Sequence, residues 1–241
     1  MSLLVALAVT VAAFVKGAIG FGFPTLGTPL LALIVDVKTA FLLLIVPNIV
    51  MDGIQFVRAG APRATMRRMA PLVACGAVGT ILGTHLLASL SSRTVMRILG
   101  GFIVTFVVLN VTRLSPRLPA RWEPWASPVA GFVAGVVGGI TNVPGTPLVL
   151  YFYALGLDKR EFVGAVSFTF VLYKLVQLGT VTWYGLMTWT LFAWSALLTT
   201  GALIGFAVGL RVQDRMEPQT FNRAVLVFLA VLGGWLVLRS W

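Results

Sequence analysis

Residues 17–30, Gly-Ala-Ile-Gly-Phe-Gly-Phe-Pro-Thr-Leu-Gly-Thr-Pro-Leu, and residues 135–148, Gly-Val-Val-Gly-Gly-Ile-Thr-Asn-Val-Pro-Gly-Thr-Pro-Leu, decide how this chain folds. Each lies inside an apolar run, Leu3 to Val35 and Val129 to Gly156, that is too long for one ordinary span and is interrupted by glycine and proline. Gly17, Gly20 and Gly27-Thr28-Pro29-Leu30 recur at Gly135, Gly138 and Gly145-Thr146-Pro147-Leu148, a constant displacement of 118. Farther on, Gly79 and Gly83 match Gly205 and Gly209 at a displacement of 126, as do Thr94, Arg97 and Arg113 with Thr220, Arg223 and Arg239. Similarity recurring at a fixed period marks a duplication. The repeats are residues 1–118 and 119–241, and they meet in the Pro- and Arg-bearing stretch Ser115 to Pro128.

The solvent for both halves is lipid. Of the 241 residues, 59% are hydrophobic and 10% charged, against roughly 45–50% and about 25% in soluble domains. Mean hydropathy is +0.98. Outside the broken runs, six segments have the length and character of a spanning helix: Phe41 to Val57, Met69 to Leu90, Val95 to Thr112, Phe162 to Tyr184, Thr188 to Leu210 and Phe221 to Leu238. The net charge of +11 sits mainly in the short connections. There it orients the chain and meets headgroups, so nucleic acid is not the expected partner. Cys75 is the only cysteine, which leaves no internal disulfide and no cysteine cluster. The first basic residue is Lys16, so the amino terminus lacks the charged start of a cleaved signal peptide and is read as retained.

Loop charge predicts the topology. If each broken run crossed once, the basic residues would divide eight to eight between the two sides, with no bias. If each run enters and returns on one side as a re-entrant hairpin, each half keeps three full spans and the halves become inverted. Twelve basic residues, among them Arg58, Arg63, Arg67, Arg68, Lys159 and Arg160, then share one side, and Lys38, Arg93, Arg97 and Arg239 the other. Two complete crossings per run give the same parity, but the pieces on either side of each break are short for that. The expected fold is therefore an all-α integral membrane protein of two inverted repeats. Each repeat is a broken, re-entrant or discontinuous helical run followed by three transmembrane helices, with both termini outside and the basic loops cytoplasmic.

Broken helices are tolerated in lipid where they line a cavity, because every unpaired backbone group costs several kcal/mol. The tips Gly20 to Pro29 and Gly138 to Pro147 are expected to approach each other from opposite sides and bind a solute near the midplane. Helix starts exposed at a break present N–H groups to an anion, glycine lets the backbone come close, and proline suits the first turn. The candidate binding residues here are Gly20, Gly22, Pro24, Thr25, Gly27, Thr28 and Pro29, with Gly138, Gly139, Thr141, Asn142, Pro144, Gly145, Thr146 and Pro147. Tight helix packing alone would also account for the glycines and prolines, but their duplication favours a site.

Lys16, before the first break, and Lys174, midway along Phe162 to Tyr184, are cations inside membrane segments and hence candidates for the anion pathway. Snorkelling would explain Lys16, and an ion pair with Asp52 would explain Lys174. Asn48, Asp52 and Gln55 follow at spacings of four and three on one helix face, and Asp52 is the candidate proton-coupling residue. Gln177 is a further candidate, while Ser167 and Thr169 are weaker counterparts. His85, deep in the Met69 to Leu90 segment, reads as a packed donor. Gly79/Gly83, Gly131/Gly135 and Gly201/Gly205/Gly209 have the four-residue spacing that lets helices approach closely. Trp183, Tyr184 and Trp189 read as an interfacial belt.

No nucleophile-elbow, zincin, Walker or dinucleotide pattern is present, and one internal Asp with one His gives little material for an enzyme. No cofactor or metal is expected. The two glycine-broken runs, each carrying Gly-Thr-Pro-Leu, together with Asp158-Lys-Arg-Glu161, resemble the sulfite exporter TauE/SafE family over nearly the whole chain. The resemblance implies export of sulfite, sulfoacetate or a related organosulfur anion across a bacterial inner membrane, driven by protons. An anion channel and a non-transporting membrane assembly factor are the alternatives. The partners expected are the bilayer, the small anion and protons; the oligomeric state, a homodimer included, is open.

Overall fold

The computed structural model describes residues 3–20, 22–60, 63–111, 118–143, 145–157 and 159–213. Among these, every regular element is helical. The order is α1 (Leu3–Ile19), α2 (Phe23–Ala32), α3 (Val37–Ala59), α4 (Arg63–Arg68), α5 (Ala70–Ser89), α6 (Ser92–Val111), α7 (Glu123–Thr141), α8 (Gly145–Ala154), α9 (Lys159–Trp183) and α10 (Trp189–Gln213), with a single 3-10 turn at Ala120–Trp122 before α7. Helices α3, α5, α7, α9 and α10 are long and apolar enough to cross a membrane. The chain is a multi-pass α-helical membrane protein. The expected span Phe221 to Leu238 and the candidate Pro144 lie outside the described residues.

Both long apolar runs are broken where the glycines and prolines predict. In the first, α1 ends at Ile19, Gly20 and Gly22 take φ of 99° and 94°, and α2 starts with Pro24 in its first turn. In the second, α7 ends at Thr141 and Asn142 takes φ 66°, the one positive value at a non-glycine residue among those described. Asparagine tolerates this left-handed region better than most residues. Its N–H caps the helix by bonding the Gly138 carbonyl at 2.9 Å. Helices α2 and α8 have 10 residues each, about 15 Å at 1.5 Å per residue, or half of a hydrocarbon core of about 30 Å.

The helix bounds recur at a different displacement from the one Gly-Thr-Pro-Leu gives. Ile19 and Thr141 end the first helices, Phe23 and Gly145 begin the half-helices, and Val37 and Lys159 begin the long helices that follow. Each pair is displaced by 122, one helical turn from 118. Gly27-Thr28-Pro29-Leu30 consequently lies within α2, whereas Gly145-Thr146-Pro147-Leu148 opens α8.

Contacts divide the chain into two compact units, and each draws on both sequence halves. One comprises Met1–Pro47, Leu90–Leu114 and Thr188–Trp241; the other comprises Asn48–Ser89 and Ser115–Met187. In the first, α1 packs along α10; in the second, α7 packs along α5. A Cβ at Gly205 would meet the Thr10 carbonyl, and one at Gly209 the Phe14 carbonyl and Gly17. In the other unit, a Cβ at Gly79 would meet the Phe132 carbonyl, and one at Gly83 the Val136 carbonyl and Gly139. These partners again differ by 122, so the two helix pairs share one packing geometry. Glycine at every fourth position brings backbone against backbone, which is how helices associate when lipid supplies no hydrophobic drive.

Two details of the packing were not legible in advance. Pro47, inside α3, cannot donate to the Leu43 carbonyl. The buried Ser195 hydroxyl of α10 donates to that carbonyl at 2.8 Å and accepts from the Val46 N–H at 3.3 Å, entering the helix ladder at its gap. Ser195→Ala should therefore destabilise the protein by about 1–3 kcal/mol, the cost of stranding a buried carbonyl. Thermal unfolding in detergent checks this, and an unchanged midpoint would show that the carbonyl needs no donor. The basic connection after α3 also folds into α4, whose Thr65 is buried while Arg67 and Arg68 are exposed. Arg68 makes a forked ion pair with Glu123, its Nη2 lying 2.5 Å from Oε2. Arg160 Nε donates to the Ala59 carbonyl at 2.5 Å and caps the end of α3.

Candidate functional site

The second break supplies the best-defined polar cluster. Lys174 lies in the middle of α9 and is 1% exposed. Its Nζ donates to Asn142 Oδ1, to Gln177 Oε1 at 2.6 Å, and at 3.5 Å to the Asn142 carbonyl. Gln177, one turn farther along α9, donates through Nε2 to the Gly139 carbonyl at 3.4 Å. The α9 cation is thus held against the carbonyl end of α7, where the helix dipole favours positive charge. The left-handed turn at Asn142 places both its main-chain and side-chain oxygens within reach of the ammonium.

The neighbouring residue fixes how Lys174 is presented. The Tyr173 hydroxyl lies 3.2 Å from the carbonyls of both Leu72 on α5 and Gly131 on α7. Gly76 makes the room for it, since a Cβ there would collide with the ring and hydroxyl. Tyr173 thereby docks α9 on the α5–α7 pair and sets the rotation at which Lys174 meets Asn142. An aromatic residue beside a buried lysine was a usable signal that the sequence reading passed over.

The other candidates fall as follows. Gly138 and Gly139 are buried in the last turns of α7. Thr141 is buried too, but its hydroxyl donates to the Val137 carbonyl at 2.7 Å and accepts from the Val143 N–H at 3.2 Å, so it serves the turn itself. Pro147 is the third residue of α8, which begins Gly145-Thr146. On α3, Asn48, Asp52 and Gln55 are all buried. Neither side-chain polar atom of Asn48 has a hydrogen-bond partner among the described residues. At the displacement of 122, Asp52 and Lys174 occupy equivalent positions on α3 and α9, as do Gln55 and Gln177. At that displacement a glutamine recurs and an aspartate is matched by a lysine.

In the other unit, Lys16 is fully buried in the last turn of α1, and its carbonyl accepts from the Gly20 N–H at 2.7 Å. Thr25 and Thr28 are buried on α2, as are Pro24, Gly27 and Pro29. Gly27 accommodates Leu44 and Ala12 at 3.3–3.5 Å from a Cβ position, so it serves packing. The first N–H groups of α2 have no intrahelical carbonyl to bond, which leaves the positive end of this half-helix at Gly22 and Phe23.

Two further sequence candidates lie at exposed positions. His85 is not deep in its segment: it is exposed near the end of α5, its Nδ1 3.0 Å from the Tyr184 hydroxyl. It lies one helical turn from Ser89, the last residue of α5. Trp183 and Trp189 are 88% and 80% exposed.

No curated protein and no solved structure matches the chain. A family model described as Sulfite exporter TauE/SafE matches residues 5–236, which takes in both broken segments, all the buried polar candidates and nearly the full length. With the apolar helices and the paired helix breaks already established, this chain belongs to the sulfite exporter TauE/SafE family of membrane transporters.

Proposed function

We propose that this protein is a secondary transporter that exports a small anion, sulfite, sulfoacetate or a related organosulfur anion, by proton-coupled alternating access. The two repeats, residues 1–118 and 119–241, are inverted, and the chain sits in a bacterial inner membrane with its basic loops in the cytoplasm. Each helix break offers groups to the anion: in one unit the N–H groups at the start of α2 with Thr25 and Thr28, and in the other those at the start of α8 with Asn48 and Asn142. Lys16 and Lys174 supply positive charge, and Asp52 carries the coupling proton.

The observation that carries this reading is the buried Lys174 ammonium held on Asn142 at a helix break. A cation placed this far from water is costly unless function requires it, and a solute anion that meets it offsets that cost during each cycle. Family membership supports an exported anion as the cargo.

Reconstitution into proteoliposomes tests the proposal, with flux measured for sulfite, sulfonates, sulfate and carboxylates, with and without a pH gradient. The expected result is saturable flux of a sulfur oxyanion that an imposed pH gradient accelerates. Unsaturable flux would identify a channel, and absence of flux for every anion would leave a membrane assembly factor. Asp52→Asn is expected to retain saturable exchange while losing acceleration by the pH gradient; continued acceleration would remove Asp52 from coupling.

A further inference from the structure

The oxygens that hold the Lys174 ammonium between encounters with the anion have the chemistry of a cation site. We infer that the carbonyl end of α7 is a monovalent-cation site, filled in this structure by the Lys174 ammonium, so that the chain carries its own tethered cation where a sodium or potassium ion would otherwise bind. The inference deepens the transport reading by naming the ion that organises this break.

Four neutral oxygens lie at this point. The ammonium reaches Asn142 Oδ1, the Asn142 carbonyl and Gln177 Oε1, and the Gly139 carbonyl accepts from Gln177. An ammonium has three donors and no acceptor, so these three oxygens can engage all its hydrogens. An anion reaching Lys174 must displace one of them, whereas a free monovalent cation could replace the ammonium with no change of ligands. Neutral carbonyl and amide oxygens suit a singly charged ion; divalent ions draw on carboxylates. The backbone contribution comes from an unwound helix end, the kind of element that holds coupling ions in discontinuous-helix transporters, and the α7 dipole points its negative end there. The Asn142 N–H makes the last i→i−4 bond of α7, to the Gly138 carbonyl, and the left-handed turn at Asn142 ends the helix there. The Asn142 carbonyl, past the helix end, accepts from the ammonium at 3.5 Å.

Removing the ammonium should expose the site. Lys174→Ala protein, purified in detergent, is compared in sodium, potassium and choline gluconate by thermal unfolding. Sodium or potassium is expected to raise the midpoint of Lys174→Ala over that in choline, saturably, while wild type does not respond. Asn142→Ala added to Lys174→Ala should remove the response. In proteoliposomes the same ion should restore anion flux to Lys174→Ala. If Lys174→Ala does not fold, Lys174→Ser, which keeps an oxygen for the ion, is measured in its place. Equal midpoints for the variant in all three salts would overturn the inference. An ion-dependent midpoint in a protein that moves no anion would instead uphold the cation site and overturn the transport reading.

Discussion

Gly209→Ala and Gly83→Ala should each destabilise the protein by about 1–3 kcal/mol, the cost of overpacking a closed interface, whereas Gly179→Ala should stabilise it by up to about 1 kcal/mol. A methyl at Gly209 would enter the Phe14 carbonyl and one at Gly83 the Val136 carbonyl, so helix must separate from helix. Backbone cannot rotate away as a flexible side chain can. Along with the direct clash, the surrounding close contacts of α1 with α10, or of α7 with α5, are lost. Gly179, in α9, has nothing within 4 Å of its Cβ position, so alanine there only removes backbone freedom from the unfolded chain. Thermal or denaturant unfolding in detergent reads all three. Because the two interfaces share one geometry, Gly209 and Gly83 should give similar losses. A large effect at one and none at the other would mean that the two pairs are not energetically equivalent.

Lys174→Ala should lower kcat/KM for the exported anion roughly 10- to 100-fold in choline medium while leaving membrane insertion intact. Hydrogen bonds to a charged group contribute about 1.5–3 kcal/mol, and each 1.4 kcal/mol is tenfold. The substitution also leaves Asn142 Oδ1 and Gln177 Oε1 without their donor in a buried place. Lys174→Arg should not rescue, because a planar guanidinium cannot occupy the position of a compact ammonium without moving Asn142. Flux into proteoliposomes, normalised to reconstituted protein, gives the answer. Wild-type flux in the alanine variant would remove Lys174 from the transport pathway.

Much of the fold could be read directly. Apolar runs of about 20 residues have one stable form in lipid, since only a helix satisfies its own backbone there, and the observed helices match the expected segments to within a few residues at each described end. The breaks at Gly20–Gly22 and Asn142 were legible because glycine, proline and asparagine interrupt a helix by their own covalent geometry. Lys16, Asp52 and Lys174 were legible because charge within an apolar run is rare enough to stand out. The four-residue glycine series likewise announced close helix contacts.

The register of the repeat could not be obtained that way. A slip of four residues advances a helix by one turn and returns nearly the same face, so Gly-Thr-Pro-Leu fits at 118 almost as well as the helix ends fit at 122. The observed helix ends distinguish the two, and the contacts of Gly205 with Thr10 and of Gly79 with Phe132 agree with them. Composition, periodicity and the two broken motifs by themselves determined a multi-pass helical membrane protein with two interrupted segments and buried charges. Tertiary structure alone decided that Lys174 meets Asn142, that Ser195 closes the gap at Pro47, and that α1 packs on α10 and α7 on α5. The reason is physical: local sequence sets which backbone conformations are cheap, but the partner of a buried polar atom is chosen by helices far apart in the chain.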